Sequence, residues 1–437
     1  MAVCLTSWAC FTPDRAAKLE QERPNDDIMA MMHAMHGDNP LPYVLEAATS
    51  CENGFADIFP CQNVDLLAHI PLESIGGGSG SDSWGWVDPQ DNKEYAIVGR
   101  SNGVSFLDVS DPENSVYLGN LPRPNSASDN IWSDIKVFQN HAFTVADFAG
   151  QHGMQVFDLT QLRNVANPPQ TFSPVTVYSQ FGSAHNIAIN VDTGFAYIVG
   201  GDVCNGGLHM VDINNPADPQ FAGCFSADGY THDVQCVIYN GPDTDHQGKE
   251  LCFASNEDTL TIVDVSDKAN PIQIARAGYP KTNYSHQGWL TEDHSHFLLD
   301  DETDELNDPS IATTRTITLD LNDLDSPKLA GEFFAAGASV DHNQYIIGDY
   351  TYQANYRRGL RILHIDDATT GALSEVAYFD TYPEGDGNGF SGAWNVYPFF
   401  PSGNILISDG NRGFFFVRAN LPGQNRILET GFETASR

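Results

Sequence analysis

One short apolar phrase recurs along this chain, closed each time by an aspartate or another polar residue and then by a turn. It reads Gly103-Val-Ser-Phe-Leu-Asp-Val-Ser-Asp-Pro112, Gly153-Met-Gln-Val-Phe-Asp-Leu159 and Gly207-Leu-His-Met-Val-Asp-Ile213. It returns as Leu260-Thr-Ile-Val-Asp-Val-Ser266, Arg315-Thr-Ile-Thr-Leu-Asp-Leu321, Gly359-Leu-Arg-Ile-Leu-His-Ile365 and Gly413-Phe-Phe-Phe-Val-Arg418. Each copy has strand length, β-branched or aromatic residues and a turn-forming flank, so each predicts a strand. The sequence between copies supplies three more; in the third unit these fall at 185–189, 195–200 and 220–225, around the phrase at 208–213. Asp-Thr-Gly, Cys-Asn-Gly-Gly and Asn-Asn-Pro-Ala-Asp-Pro separate them, the residues of tight antiparallel connections.

Four strands per unit of about fifty residues, repeated seven times, predict an all-β fold: a seven-bladed β-propeller of four-stranded antiparallel blades. An open solenoid needs capping units at both ends. Here the last unit stops after its third strand at Arg418, while Val64-Asp-Leu-Leu-Ala-His-Ile-Pro-Leu72 resembles a fourth strand with no first three before it. An N-terminal strand that completes the last blade closes the ring and leaves no long edge exposed. The expected organisation is a leader or linker at 1–60, a monomeric propeller at 61–420 and a short tail at 421–437.

Composition narrows the function classes. With 41% hydrophobic and 11% aromatic residues the chain buries a full core, and Gly 38 and Pro 24 fit many turns. The formal charge of −37 excludes a constitutive binder of nucleic acid or of anionic membrane, both of which need a basic footprint. No apolar run approaches the roughly 18 residues of a membrane span. Among eight cysteines, Cys51 and Cys61 bracket a Gly-containing loop, Cys204 and Cys224 flank a strand pair, and Cys236 and Cys252 sit on neighbouring strands. With no Cys-x-x-Cys, these spacings point to disulfides and an oxidising, extracytoplasmic location. The segment Ile28-Met-Ala-Met-Met-His-Ala-Met-His36 reads as a short helix in the leader, or as soft ligands for Cu(I).

The phrase Leu260-Thr-Ile-Val-Asp264 resembles the LVIVD-repeat propellers. More narrowly, Pro60-Cys-Gln-Asn-Val-Asp-Leu-Leu67, Gly182-Ser-Ala-His-Asn186, Thr231-His-Asp-Val-Gln-Cys236 and Ala254-Ser-Asn-Glu-Asp258 resemble the choice-of-anchor B group of bacterial surface proteins, over residues 51–418. The resemblance implies an exported, surface-attached propeller and no established activity.

Aligning the units on their first strands yields one column of Trp84, Ser133, His185, His232, His286, His342 and Trp394. The next column is Gly85, Asp134, Asn186, Asp233, Gln287, Asn343 and Asn395. First strands line the channel of a propeller, so both columns form rings near one mouth. The exits of the second strands bring Asp147, Asp202, Glu257, Asp301, Glu302, Asn355 and Asp409 to the same face. Such a set either locks adjacent blades by hydrogen bonds or holds a transition metal on neutral imidazoles and carboxylates. Metal-activated water with Asp233 or Glu257 as base is the chemistry an enzyme would use here. Two acidic loops, with Asp243 and Asp245 in one and Asp301 and Asp304 in the other, offer oxygen ligands to Ca²⁺ or read as solvated surface. The expectation is therefore a surface binding module for a protein or glycan partner, with a divalent metal (Zn, Cu, Mn or Ca) as the candidate cofactor and interblade hydrogen bonding as the alternative use of the ring. The second expectation is a metal-dependent hydrolase or oxidoreductase.

Overall fold

A computed structural model of the protein describes residues 47–421; Cys4, Cys10 and the Met/His segment at 28–36 lie outside them. Seven antiparallel four-stranded blades form a ring. Their first strands are Gly80–Val87, Ser133–Phe138, Asn186–Asn190, Asp233–Ile238, Ser285–Leu290, Gln344–Ile347 and Ala393–Tyr397. Each adjoins the first strand of the next blade, and the seventh adjoins the first.

The recurrent phrase is the third strand of every blade, from Gly103–Asp108 to Gly413–Ala419. Its terminal aspartate has a local purpose. Asp108, Asp158, Asp212, Asp264 and Asp320 each accept a hydrogen bond from the backbone N–H two residues on, at 3.2, 2.9, 2.9, 3.0 and 2.8 Å. This Asx turn steers the chain out of the third strand in the first five blades. The apolar residues before it are buried between blades. In one such layer Leu251, Phe253 and Ile262 of blade four pack with Phe297, Leu299 and Ile317 of blade five. Blades approach closely where a fourth strand carries glycine: a Cβ on Gly223 would lie 1.7 Å from the Lys268 carbonyl, and one on Gly331 1.9 Å from that of Thr370.

Ring closure is as the sequence predicts. Val64–Ile70 pairs antiparallel with Gly413–Ala419, in the register Val64↔Ala419 to Ile70↔Phe414. The assignment of residues 55–60 to a leader is corrected. Phe55–Ala56 and Phe59–Gln62 form a hairpin that extends blade six beyond its fourth strand Ala372–Phe379, with Cys61 opposite Phe379. Its strands are too short to show alternation, and tertiary contacts hold it. Phe59 is fully buried against Phe379 and Phe415, and Cys51 is bonded to Cys61. The pairs Cys204–Cys224 and Cys236–Cys252 are also disulfides. The latter joins residues directly opposite on the first two strands of blade four.

Candidate functional site

At the N-terminal ends of the first strands, His185, His232, His286 and His342 stand side by side, with successive ring centroids 4.3, 4.2 and 4.4 Å apart. Trp394 continues the arc, 4.9 Å from His342. Ser133 completes it on the other side and bonds to Ser81 at 2.6 Å. Trp84 is not part of this ring. Ser81 and Asp82 occupy the two column positions that Trp84 and Gly85 were expected to fill, Ser81 bonding to Ser133 and Asp82 accepting from Ile135 N–H. Trp84 lies towards the opposite mouth, edge-on to Tyr397 and Tyr345 at 5.1 and 5.9 Å.

The second column, one residue deeper, is a polar belt that mostly ties blade to blade. Asp82 and Asp134 accept the backbone N–H of Ile135 and Ile187 at 3.2 and 2.7 Å. Asn186 donates to the His232 carbonyl at 3.0 Å, and Asn395 to that of Ser83 at 2.8 Å. Gln287 accepts from Gln344 N–H at 3.0 Å and donates to its carbonyl at 3.1 Å. Asn343 donates to Asn395 at 3.3 Å. Lys136 is held by Asp134 at 2.5 Å and Asp82 at 3.4 Å. Asp233 differs: among the described residues the one hydrogen bond to its carboxylate is from its neighbour Val234 N–H, at 2.6 Å. Burial, reinforced by Asp134, raises its carboxyl to about 7.

The four histidines share an orientation. Each directs Nδ1 to an oxygen: His185 to Asp147 at 3.2 Å, His232 to the His286 carbonyl at 3.0 Å, His286 to Asp300 at 2.8 Å, and His342 to the Trp394 carbonyl. An imidazole that donates from Nδ1 keeps a lone pair on Nε2. Burial, then the neighbouring imidazoles, holds His286 well below its ordinary pKa, and burial does the same to His232, so both are neutral near pH 7. The Nε2 atoms of His286 and His342 converge on one carboxylate, Glu302, at 3.8 and 3.7 Å. Tyr356 donates to Glu302 Oε1 at 2.8 Å, while Glu302 Oε2 is buried with no hydrogen-bond partner among the described residues. Burial pushes the Glu302 carboxyl to about 8.

Glu302 heads a carboxylate cluster whose extent the sequence concealed. Asp300, Asp301, Asp304, Glu305 and Asp341 are buried with it. The acidic loop with Asp301 and Asp304, read as either solvated or open to calcium, is instead internal from Asp300 to Glu305 and reaches the surface at Asn307, with a short helix at Asp304–Asn307. Asp301 accepts from Tyr284 N–H, Asn283 N–H and the Tyr279 hydroxyl at 2.7, 2.8 and 2.9 Å. Asp304 pairs with Arg315 at 2.6 Å. Neither offers a solvent-facing calcium ligand. Both oxygens of Asp341, 3% exposed, lack a hydrogen-bond partner among the described residues.

In the other loop Asp243 accepts from the backbone N–H groups of Asp245 and Leu324 at 3.1 and 2.9 Å. Its ligand-like neighbours are His246 and Asp325, and Asp245 is not in that group. Glu257 joins its backbone to Ser285 at the start of blade five. Asp300, Asp341 and Tyr356 were not anticipated. The inward position of Asp300, directly before the expected pair Asp301–Glu302, was the available signal.

Histidines outside the mouth make a pH prediction. Burial lowers His152 and His209 to about 4 from 6.5. Both therefore stay neutral when folded but protonate when unfolded, and their contribution, full above pH 6.5, is lost as pH falls towards 4. The loss is about 1.4 kcal/mol per pH unit for each. Denaturant titrations of the wild type and of a His152→Gln, His209→Gln variant are expected to converge on acidification. A pH-independent difference counts against it.

Void geometry separates the two ends of the channel. At the histidine mouth the void is ≈10 Å³, bounded by Asp82, Ser133, the four histidines and Trp394. Beyond the belt, at the C-terminal ends of the first strands, a cavity of ≈650 Å³ opens. Among the described residues no helix is long and apolar enough to cross a membrane.

The LVIVD repeat family model matches residues 181–226 and 247–277, within blades three and four. No curated protein matches the chain. Of solved structures, the Cps50 (Swd1) β-propeller domain of Myceliophteria thermophila aligns with TM-score 0.50 and 12% identity, covering 81% of this chain and 98% of that one. A functionally unknown protein from Desulfotomaculum acetoxidans aligns with TM-score 0.49 and 12% identity, over 72% and 95% of the respective chains. Identity at this level speaks to fold alone. The chain is thus a seven-bladed β-propeller that carries LVIVD repeats.

Proposed function

We propose that this propeller is an exported, cell-surface binding module whose histidine mouth holds a divalent transition metal on His286, His342 and Glu302. One observation carries the reading: two imidazole Nε2 atoms and a carboxylate converge within 4.8 Å in a buried space. Zinc bonds of about 2.0–2.1 Å place neighbouring tetrahedral ligand atoms roughly 3.3 Å apart; His342 Nε2 lies 3.7 Å from Glu302 Oε1 and His286 Nε2 3.8 Å from Oε2, so a metal would draw the three side chains inward. The outer contacts suit a metal too. Asp300 on His286, the Trp394 carbonyl on His342 and Tyr356 on Glu302 orient all three ligands. A cation also neutralises a cluster in which Glu302, Glu305 and Asp341 are buried in excess of Arg315.

The ≈10 Å³ void beside the histidines has no room for an ester, which favours metal holding over hydrolysis. Three disulfides support an oxidising compartment. The likeness to the choice-of-anchor B group supports the cell surface.

Metal analysis tests the site on protein purified without chelator or nickel resin. The expected result is about one equivalent of a divalent transition metal, lost in a His286→Ala, His342→Ala variant that still shows a β-sheet circular dichroism spectrum. Wild-type protein that is metal-free as isolated, and binds no added Zn²⁺ in titration, sinks the reading.

A further inference from the structure

The cavity at the other mouth calls for its own account, and it is independent of the metal reading. Its ≈650 Å³ falls within the range of small-molecule sites. One wall is aromatic: Trp289 stands edge-on to Tyr345 at 5.0 Å, and Phe399 meets Tyr345 at 5.6 Å and Trp84 at 6.1 Å. The floor is the polar belt, reached at Asp233 and Lys136.

Structural need does not explain Asp233. The other six belt residues bond to the next blade, whereas Asp233 makes no such bond among the described residues. By the pattern of the other blades Asp233 would accept the N–H of Gly288, but blade five is bulged between Ser285 and Gly288 and that bond is not made. The side chain of Asp233 is therefore left with an oxygen for another donor, on the floor of a cavity. Charge selects the kind of donor. Three belt carboxylates, Asp82, Asp134 and Asp233, face one ammonium, Lys136, which Asp134 already engages at 2.5 Å. Burial raises the Asp82 and Asp233 carboxyls, so the floor gains negative charge as a cation binds and displaces a proton. An anion finds no unengaged ammonium there, while a cation gains from the ionised Asp233, from the aromatic faces and from the field of a chain carrying −37.

We infer that the cavity binds a compact organic cation, a primary amine on an aromatic or apolar body, with its ammonium on Asp233 and its body against Trp289 and Tyr345.

Isothermal titration of the whole disulfide-bonded chain near pH 7 tests this with 2-phenylethylamine, the neutral 2-phenylethanol, phenylacetate and glucose. The amine is expected to bind at least about tenfold more tightly than the alcohol, because only the amine makes a charge-assisted bond. In Asp233→Asn that margin is expected to vanish, while Trp289→Ala weakens amine and alcohol alike. Equal affinity for amine and alcohol, preference for phenylacetate or glucose, or no amine binding at millimolar concentration each overturns the proposal. The ligand series on wild-type protein decides it even if a variant fails to fold. Metal content is measured in parallel, so a failure at this mouth is distinct from a failure at the other.

Discussion

Replacing Arg315 by methionine is expected to lower the unfolding free energy by about 3–5 kcal/mol, the cost of removing one partner from a buried ion pair. The Arg315 guanidinium is fully buried. It donates to Asp304 at 2.6 Å, Glu332 at 2.8 Å and the carbonyls of Pro280 and Lys281 at 3.0 and 3.2 Å. Asp301 lies 3.7 Å away. Methionine keeps much of the apolar stem but leaves these carboxylates without their cation, in a cluster that already includes Glu305 and Asp341. A second variant, Arg315→Met with Asp304→Asn, removes one stranded charge and is expected to recover part of the loss. Denaturant unfolding with an unchanged m-value reads both. A loss below about 1 kcal/mol, the level of an exposed pair, would show that the guanidinium is not what holds this cluster.

The second large effect is expected at the seam of the ring. Phe415, on the third strand of blade seven, is fully buried. Its ring meets Phe59 at 5.2 Å, Phe379 at 5.8 Å and His69 at 4.5 Å. It therefore joins the N-terminal hairpin, the outer strand of blade six and the closing strand Val64–Ile70. Phe415→Ala is expected to cost about 3–5 kcal/mol through lost burial and the cavity left behind. Phe415→Leu, which refills much of that volume, should cost distinctly less. Because the seam is what closes the ring, limited proteolysis of the alanine variant is expected to cut first near residues 55–70. Uniform cleavage around the propeller would contradict the seam as the weak point.

The chemistry of the mouth was only partly legible in the sequence. Histidines at one height in four consecutive units follow from strand alignment alone, and the structure does bring His185, His232, His286 and His342 together. The approach of Glu302 to His286 and His342 was foreshadowed by the exit of the second strand in blade five. Which oxygen meets which nitrogen was not. Asp300, rather than a member of the expected ring, orients His286. Trp84 was misplaced because blade one was aligned three residues too far along: Ser81 and Asp82 hold the column positions, and no residue type marks that register. A register shift redirects every side chain beyond it.

The sequence by itself determined the elements and their closure: seven apolar phrases, five of them ending in Asx turns, the turns between them, the Cys236–Cys252 pairing and the strand that completes blade seven. The strands and turns depend on interactions within a few residues or on period-two alternation, which a linear chain displays directly; the closure follows from counting strands, a fourth without its first three at 64–70 and a last unit without its fourth. Only the tertiary structure decided that the acidic residues from Asp300 to Glu305 are internal, that residues 55–60 belong to blade six, and that the channel ends in a tight histidine void at one mouth and a roomy cavity at the other. Those outcomes arise from packing between blades, where bulges and the loops that meet them set side-chain direction, and no local pattern encodes a contact between residues fifty or three hundred positions apart.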